Sequence, residues 1–413
     1  MNKNLLARTQ EPIAILAFVL FYAFTFMKST MLIAWFTPGI NRVITYACYA
    51  LLFCSILLST RFSWREIIAI LALGLIGAVV TATSDSNLML VYVLAAAALA
   101  DVDKKRVAWA ALMTGLAVTA VTIALSRTGK IENLVYFQQD ENLDTRTRQA
   151  LGFVYPTDFA AHVFYLLLIV FYLTRGQLNV WTGALYLGSA WLVKEICDAR
   201  LSMATILLVF AASALLTLWK DFQPRRMIRW GLILACPIGA ALTFGMELLY
   251  AGGSGLGRKL NDVLSSRLSI GCRLLEESGV TLLGQEIEQH GNGQLLDSLT
   301  YWGEYSYIDM SFQRILQMYG IIAFVAVILC AVLLTKRELD RGNVLVPVIL
   351  ALVTVNSIVD QHYLDFSSNI FLLMLLDRAP EREKTREAVL HRLRRLRGSR
   401  RMGEPESGSG RIT

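Results

Sequence analysis

Long apolar stretches without a charged side chain leave this chain few ways to fold. Ile13 to Met27 and Val43 to Leu58 are two of them. About 20 mostly apolar residues let a helix cross the hydrocarbon core of a bilayer. Backbone polar groups find no partner in lipid, so such stretches must pair their own N–H and C=O groups as helices. The composition agrees: 55% of the 413 residues are hydrophobic and 17% charged, against about 45–50% and about 25% in soluble domains.

The pattern predicts an all-α, polytopic integral membrane protein of about twelve transmembrane helices, beginning near Pro12, Val43, Glu66, Leu88, Val107, Thr157, Val180, Leu201, Trp230, Ser311, Val344 and Ser367. The fourth and the last are short. The first apolar block lacks a small-residue cleavage site and many spans follow it, so it is read as a retained span and not a signal peptide. With both termini cytoplasmic, the even-numbered connections carry the Lys and Arg excess that orients membrane proteins. They include Arg61 and Arg65; Lys104, Lys105 and Arg106; Arg175; Arg225, Arg226 and Arg229; Lys336, Arg337 and Arg341. The domain reading is residues 1–250 for the first nine helices, 251–310 for an extracytoplasmic cap loop, 311–378 for the last three helices and 379–413 for a basic cytoplasmic tail.

Two connections on the opposite side are long, Arg127 to Tyr155 and Ala251 to Met310. Loops of that length in compact proteins usually carry function. The second mixes apolar and aromatic residues with charges, which predicts a cap of short amphipathic helices. The tail reads either as a basic amphipathic helix against anionic lipid headgroups or as a solvated topology signal. The formal charge of +7 is assigned to membrane topology and not to nucleic acid. Six cysteines without CxxC spacing suggest neither a disulfide framework nor a zinc site. No metal-binding or P-loop motif is present, and Gly252 to Gly257 is read as a loop at a membrane exit. These absences argue against self-contained ATP-driven pumping.

Ionisable residues at span ends are costly and mark cavities. Asp158 and His162, four apart behind Pro156, share a helix face. The alternative for this pair is a carboxylate favoured by the helix dipole beside a hydrogen-bonded core histidine. Arg200 follows a very short connection, Lys194 to Ala199, and suits phosphate oxygens; the alternative is an ion pair with Asp198 or Glu195. The cap carries Arg267, Arg273, His290, Asp309 and Arg314, among other charges. Asp360 and His362 lie between the last two spans.

In architecture, and in four short motifs, the chain resembles the Wzy-type polysaccharide repeat-unit polymerases, relatives of the O-antigen ligases. Gly152-Phe153 to Pro156-Thr157 is similar to the family's Gly-Phe-x-x-Pro-Asn, with Thr157 in place of Asn. Asp198-Ala199-Arg200-Leu201-Ser202 is similar to its Ser-Arg-Thr/Ser helix start. Leu264-Ser265-Ser266-Arg267-Leu268 resembles its Ser-Gly-Arg segment, and Tyr307 to Phe312 running into Tyr319-Gly320-Ile321 resembles its Val-Asp-Asn-Ser-Tyr to Tyr-Gly-Ile-Ile entry to a span.

The resemblance implies a GT-C-like, metal-independent glycosyltransferase without cofactors in a bacterial cytoplasmic membrane. It would join polyprenyl-diphosphate-linked oligosaccharides on the outer face, among membrane lipids, with a flippase and a chain-length regulator as partners. Arg200, Arg267 and Arg273 would then stabilise the leaving diphosphate. His290, Asp309 and His362 are the candidate bases, although Asp309 could instead cap the following helix. A ligase acting on finished glycan and a lipid-linked sugar flippase or other transporter stay open as alternatives.

Overall fold

The computed structural model describes residues 3–58, 62–139, 145–219, 224–291 and 305–378. Helices occupy most of them: α1 (Lys3–Met27), α2 (Pro38–Leu58), α3 (Trp64–Ser84), α4 (Leu88–Ala98), α5 (Lys104–Arg127), α6 (Pro156–Leu173), α7 (Val180–Cys197), α8 (Arg200–Leu218), α9 (Arg226–Ile233), α10 (Ala235–Ala251), α11 (Gly255–Val263), α12 (Arg267–Ser278), α13 (Ser311–Arg314), α14 (Gly320–Asp340) and α15 (Leu345–Ser357). A π-helical turn, Ile315–Tyr319, joins α13 to α14, and a 3-10 helix, Ile370–Leu376, follows α15.

Among the described residues, seven helices are long and apolar enough to cross a membrane, and an eighth crossing follows if the bent pair α9–α10 is counted as one. The chain is thus a helical, multi-pass membrane protein. Helix α4, with 11 residues, and α15, with 13, are short for a span. The segment expected as a last span from Ser367 is a seven-residue 3-10 helix.

The break between α9 and α10 bends the pair by 60°. Pro237 in the first turn of α10 explains it. Proline has no N–H to offer Ile233 four residues back, and its ring crowds that carbonyl.

Local chemistry sets the other boundaries. Ser63 and Glu66 form a reciprocal capping box that opens α3, satisfying two N–H groups that a helix start leaves unpaired. Pro156 opens α6 at its first position, where a missing N–H costs nothing. Helix α6 is the axis of the bundle, with 72% of its span buried, whereas α2 and α3 bury 17% each and present their apolar sides outward. Trp64, Trp181, Trp219 and Trp230, all exposed, stand at or near the ends of α3, α7, α8 and α9, where indoles mark a membrane–water boundary.

Two findings depart from the sequence reading. The loop after α5 holds an antiparallel hairpin, β1 (Val135–Gln139) paired with β2 (Thr145–Gln149) with Phe137 opposite Thr147. The Gly-rich stretch after α10 is only partly loop: α11 begins at Gly255, capped by the Ser254 hydroxyl. The cap segment does contain amphipathic helices, α11 and α12. The expected tail helix, with Tyr301, Trp302 and Glu304 of the cap, lies outside the described residues.

At the end of the bundle that carries the basic connections, the chain's last described segment is tied down by cations. Arg337 donates to the carbonyls of Met374 and Leu375, Arg341 to that of Asp377 at 3.4 Å, and the buried Lys104 pairs with the Asp377 carboxylate at 3.1 Å. Arg378 pairs with Asp101 at 3.1 Å and lies over the Phe62 ring at 4.4 Å.

Candidate functional site

At the other end of the bundle, three turns in the chain collect polar side chains into one compartment. The first lies between α11 and α12. Ser265 and Ser266 both adopt the left-handed conformation, with φ of 55° and 65°, and this reverses the chain so that Arg267 opens α12. Two consecutive non-glycine residues there are strained. The second is the α7–α8 corner, turned by Asp198 at φ 45°. The third is the segment from α15 to Asp365, where the Ser311 backbone N–H donates to the Asp360 carbonyl at 3.2 Å and the Ser311 hydroxyl accepts from the Tyr363 N–H at 3.0 Å.

Arg267 is half-buried, with Nε 3.6 Å from Asp309 Oδ2 and Nη1 donating to the Leu264 carbonyl at 3.2 Å. Tyr305 donates its hydroxyl to the same Asp309 oxygen at 3.2 Å. Burial pushes the Asp309 carboxyl above the usual carboxylate range, and the Arg267 charge pulls it only part of the way back. The backbone before α13 is capped at Met310 without a side-chain bond, so Asp309 faces Arg267 and does not cap the helix. Burial raises the Tyr305 phenol strongly, helped by the Asp309 charge, which keeps it a hydrogen-bond donor.

Behind this pair sits a second charge cluster. His362 is buried, with Nδ1 2.6 Å from Asp360 Oδ1 and Nε2 4.0 Å from Asp158 and 3.8 Å from Asp365. Burial opposes its charge, but the Asp360 charge and hydrogen bond, with Asp365 and Asp158 beyond, raise its pKa to about 9. Asp360 is held below its ordinary value: burial works against ionisation, and His362, Arg267 and Asn356 outweigh it. Arg314 lies 5.2 Å from the Tyr307 ring and donates to Gln361 at 2.7 Å and Gln289 at 3.1 Å.

The remaining sequence candidates divide. Asp158 is buried and joins the His362 cluster, whereas His162 bonds the Ser29 hydroxyl at 2.7 Å and stacks on Phe26 at 3.7 Å, a core role. Arg200 is exposed and 3.7 Å from Asp198, which also binds Lys194. Arg273 donates to the Tyr305 carbonyl and stands 3.9 Å from Glu277, so it braces the cap beside Arg267. His290 forms a β-bridge with Ser306 and lies 3.4 Å from Glu288.

Sequence reasoning missed Arg148. It is carried on β2, donates Nε to the Cys197 carbonyl at 2.9 Å and is half-buried. Burial draws its pKa down, and charges of Asp198 and Arg267 both act on it, so the hairpin brings a further arginine to the same compartment. The β-branched and aromatic run Val135-Tyr136-Phe137, followed by Asp140 and Asn142 and then by Thr145 and Thr147, was the available signal, since such runs separated by turn-forming residues favour a hairpin. Comparison with known proteins found no matching family model, no similar curated protein and no similar solved structure.

Proposed function

We propose that this chain is a membrane glycosyltransferase of the Wzy-like, GT-C-like kind, polymerising polyprenyl-diphosphate-linked oligosaccharide repeat units into a cell-surface polysaccharide. In this reading twelve helical segments place both termini in the cytoplasm of a bacterium, and the compartment around Arg267 opens on the extracytoplasmic side. A flippase and a chain-length regulator are its partners in this proposal. The observation that carries it is the pairing of Arg267 with the half-buried Asp309, with Arg148 close enough to feel the Arg267 charge and Arg200 at the Asp198 corner that Arg148 also faces.

Transfer from a lipid diphosphate requires two things of a protein. The acceptor hydroxyl must lose its proton as its oxygen attacks the anomeric carbon. The bond from that carbon to the phosphate oxygen then breaks, the diphosphate leaves with the electron pair, and its gain of negative charge must be met by fixed donors. Asp309 is the base assigned here, because burial raises its proton affinity. His362, held as a cation near neutral pH, is poorly suited to accept a proton and serves to order Asp360 and Asp158. Arg267 and Arg200 face the leaving group, and Arg273 positions the cap.

Arg267→Ala should reduce extension of lipid-linked repeats at least 100-fold with the protein still inserted and folded. Asp309→Asn should do the same without weakening substrate binding. Polymer of normal length from Arg267→Ala would sink the assignment. Purified protein that moves lipid-linked repeats across liposomes without lengthening them would replace it with a flippase.

A further inference from the structure

Outside this compartment, where α10 meets α12 and α13, two buried polar side chains face each other with no donor between them. Glu247, in the last turns of α10, is 3% exposed, and among the described residues neither of its carboxylate oxygens has a hydrogen-bond partner. Gln313 of α13 is 1% exposed; its Nε2 donates to the Gly271 carbonyl of α12 at 2.6 Å, and its Oε1 is likewise unpartnered. Both oxygens converge over Gly271. A Cβ built there would stand 2.5 Å from Gln313 Oε1 and 2.8 Å from Glu247 Oε1, so only glycine lets them approach the helix this closely.

We infer that Glu247 and Gln313 form a binding site for a monovalent alkali cation at the seam of α10, α12 and α13. A buried carboxylate without a counter-charge costs several kcal/mol, and this one faces the Gln313 amide oxygen, three unpartnered acceptor atoms in all, with no cation paired to it among the described side chains. Turning the Gln313 amide over brings no relief: its N–H would reach Glu247, but its oxygen would then oppose the Gly271 carbonyl. A proton on Glu247 supplies one donor and leaves the second carboxylate oxygen unserved. A cation takes both carboxylate oxygens and the amide oxygen together. One negative charge matches one positive charge, and hard oxygen ligands suit alkali ions, as they do where transport proteins hold sodium at helix breaks. The nearby Cys272 thiol donates to the Glu247 backbone carbonyl, at 3.5 Å, and not to its carboxylate among the described contacts.

Bound there, the ion ties the root of the α13–α14 span to the helix that Arg267 opens. Its occupancy therefore sets how firmly the cap is seated, whatever reaction the cap serves. Thermal unfolding of the purified full-length protein in sodium, potassium or choline chloride at equal ionic strength tests it. The expected result is a saturable rise in midpoint with sodium or potassium over choline, growing with the logarithm of concentration above the dissociation constant. Glu247→Gln and Gln313→Leu should each abolish that rise. If Glu247→Gln does not fold, Gln313→Leu and Gly271→Ala decide the matter, since both leave the carboxylate in place. Equal midpoints in all three salts, or a cation effect that survives these substitutions, would overturn the site. So would a midpoint that follows pH alone, which would assign the position to a proton.

Discussion

Ser266 shows how a single residue can hold a site under strain. Its left-handed backbone, next to an equally left-handed Ser265, is what starts α12 at Arg267. Ser266→Gly should raise stability by about 1 kcal/mol by relieving that conformation, and Ser266→Val should lower it by about as much or more; thermal midpoints of the two variants give the comparison. At His362 the prediction concerns pH. A histidine whose folded pKa is raised to about 9 contributes its stabilisation fully below its ordinary value near 6.5 and loses it as pH climbs through 9. Stability should therefore fall on alkaline titration across that window, and His362→Gln should start lower and lose the pH dependence.

Among the elements, those held together by local chemistry were the ones the sequence announced. Pro156 at the head of α6 and the apolar runs of α1 to α3 each lie within a single helix, so local spacing reveals them. The site was less legible because its partners come from distant segments: Asp309 finds Arg267, and His362 finds Asp158, only through packing. Arg148 was hidden for the same reason, its strand existing only as half of a hairpin. The entry to α14 is a further case. Gly320 has φ 86°, and a Cβ there would stand 2.4 Å from the Gly284 nitrogen and 2.7 Å from the Leu282 carbonyl oxygen. This close backbone approach fixes the end of the cap against the span. Gly320→Ala should cost on the order of 2 kcal/mol or more, read as a lower unfolding midpoint and faster proteolysis after residue 279.

For the molecule as a whole, the two ends of the bundle have different charge economies. One end neutralises its cations on backbone carbonyls and single carboxylates, with Lys104 against Asp377 buried among them. Removing one member of such a pair strands the other, so Asp377→Asn should destabilise the protein by about 3–5 kcal/mol and lower the yield of folded protein from membranes. The opposite end gathers Arg267, Arg314, Asp158, Asp309, Asp360 and His362 in one compartment, and under the proposed function Arg267→Ala and Asp309→Asn should act on turnover before they act on folding.

The ties on residues 374–378 also bear on how the protein is made. Their partners, Lys104, Asp101, Arg337 and Arg341, are all synthesised earlier than the segment that satisfies them. Until the ribosome delivers Asp377, Lys104 has no carboxylate at that contact. Delivery of residues 374–378 thus acts as the closing stitch of assembly, and a product that stops before Ile370 should be recognised by quality-control proteases although every long span has already been inserted.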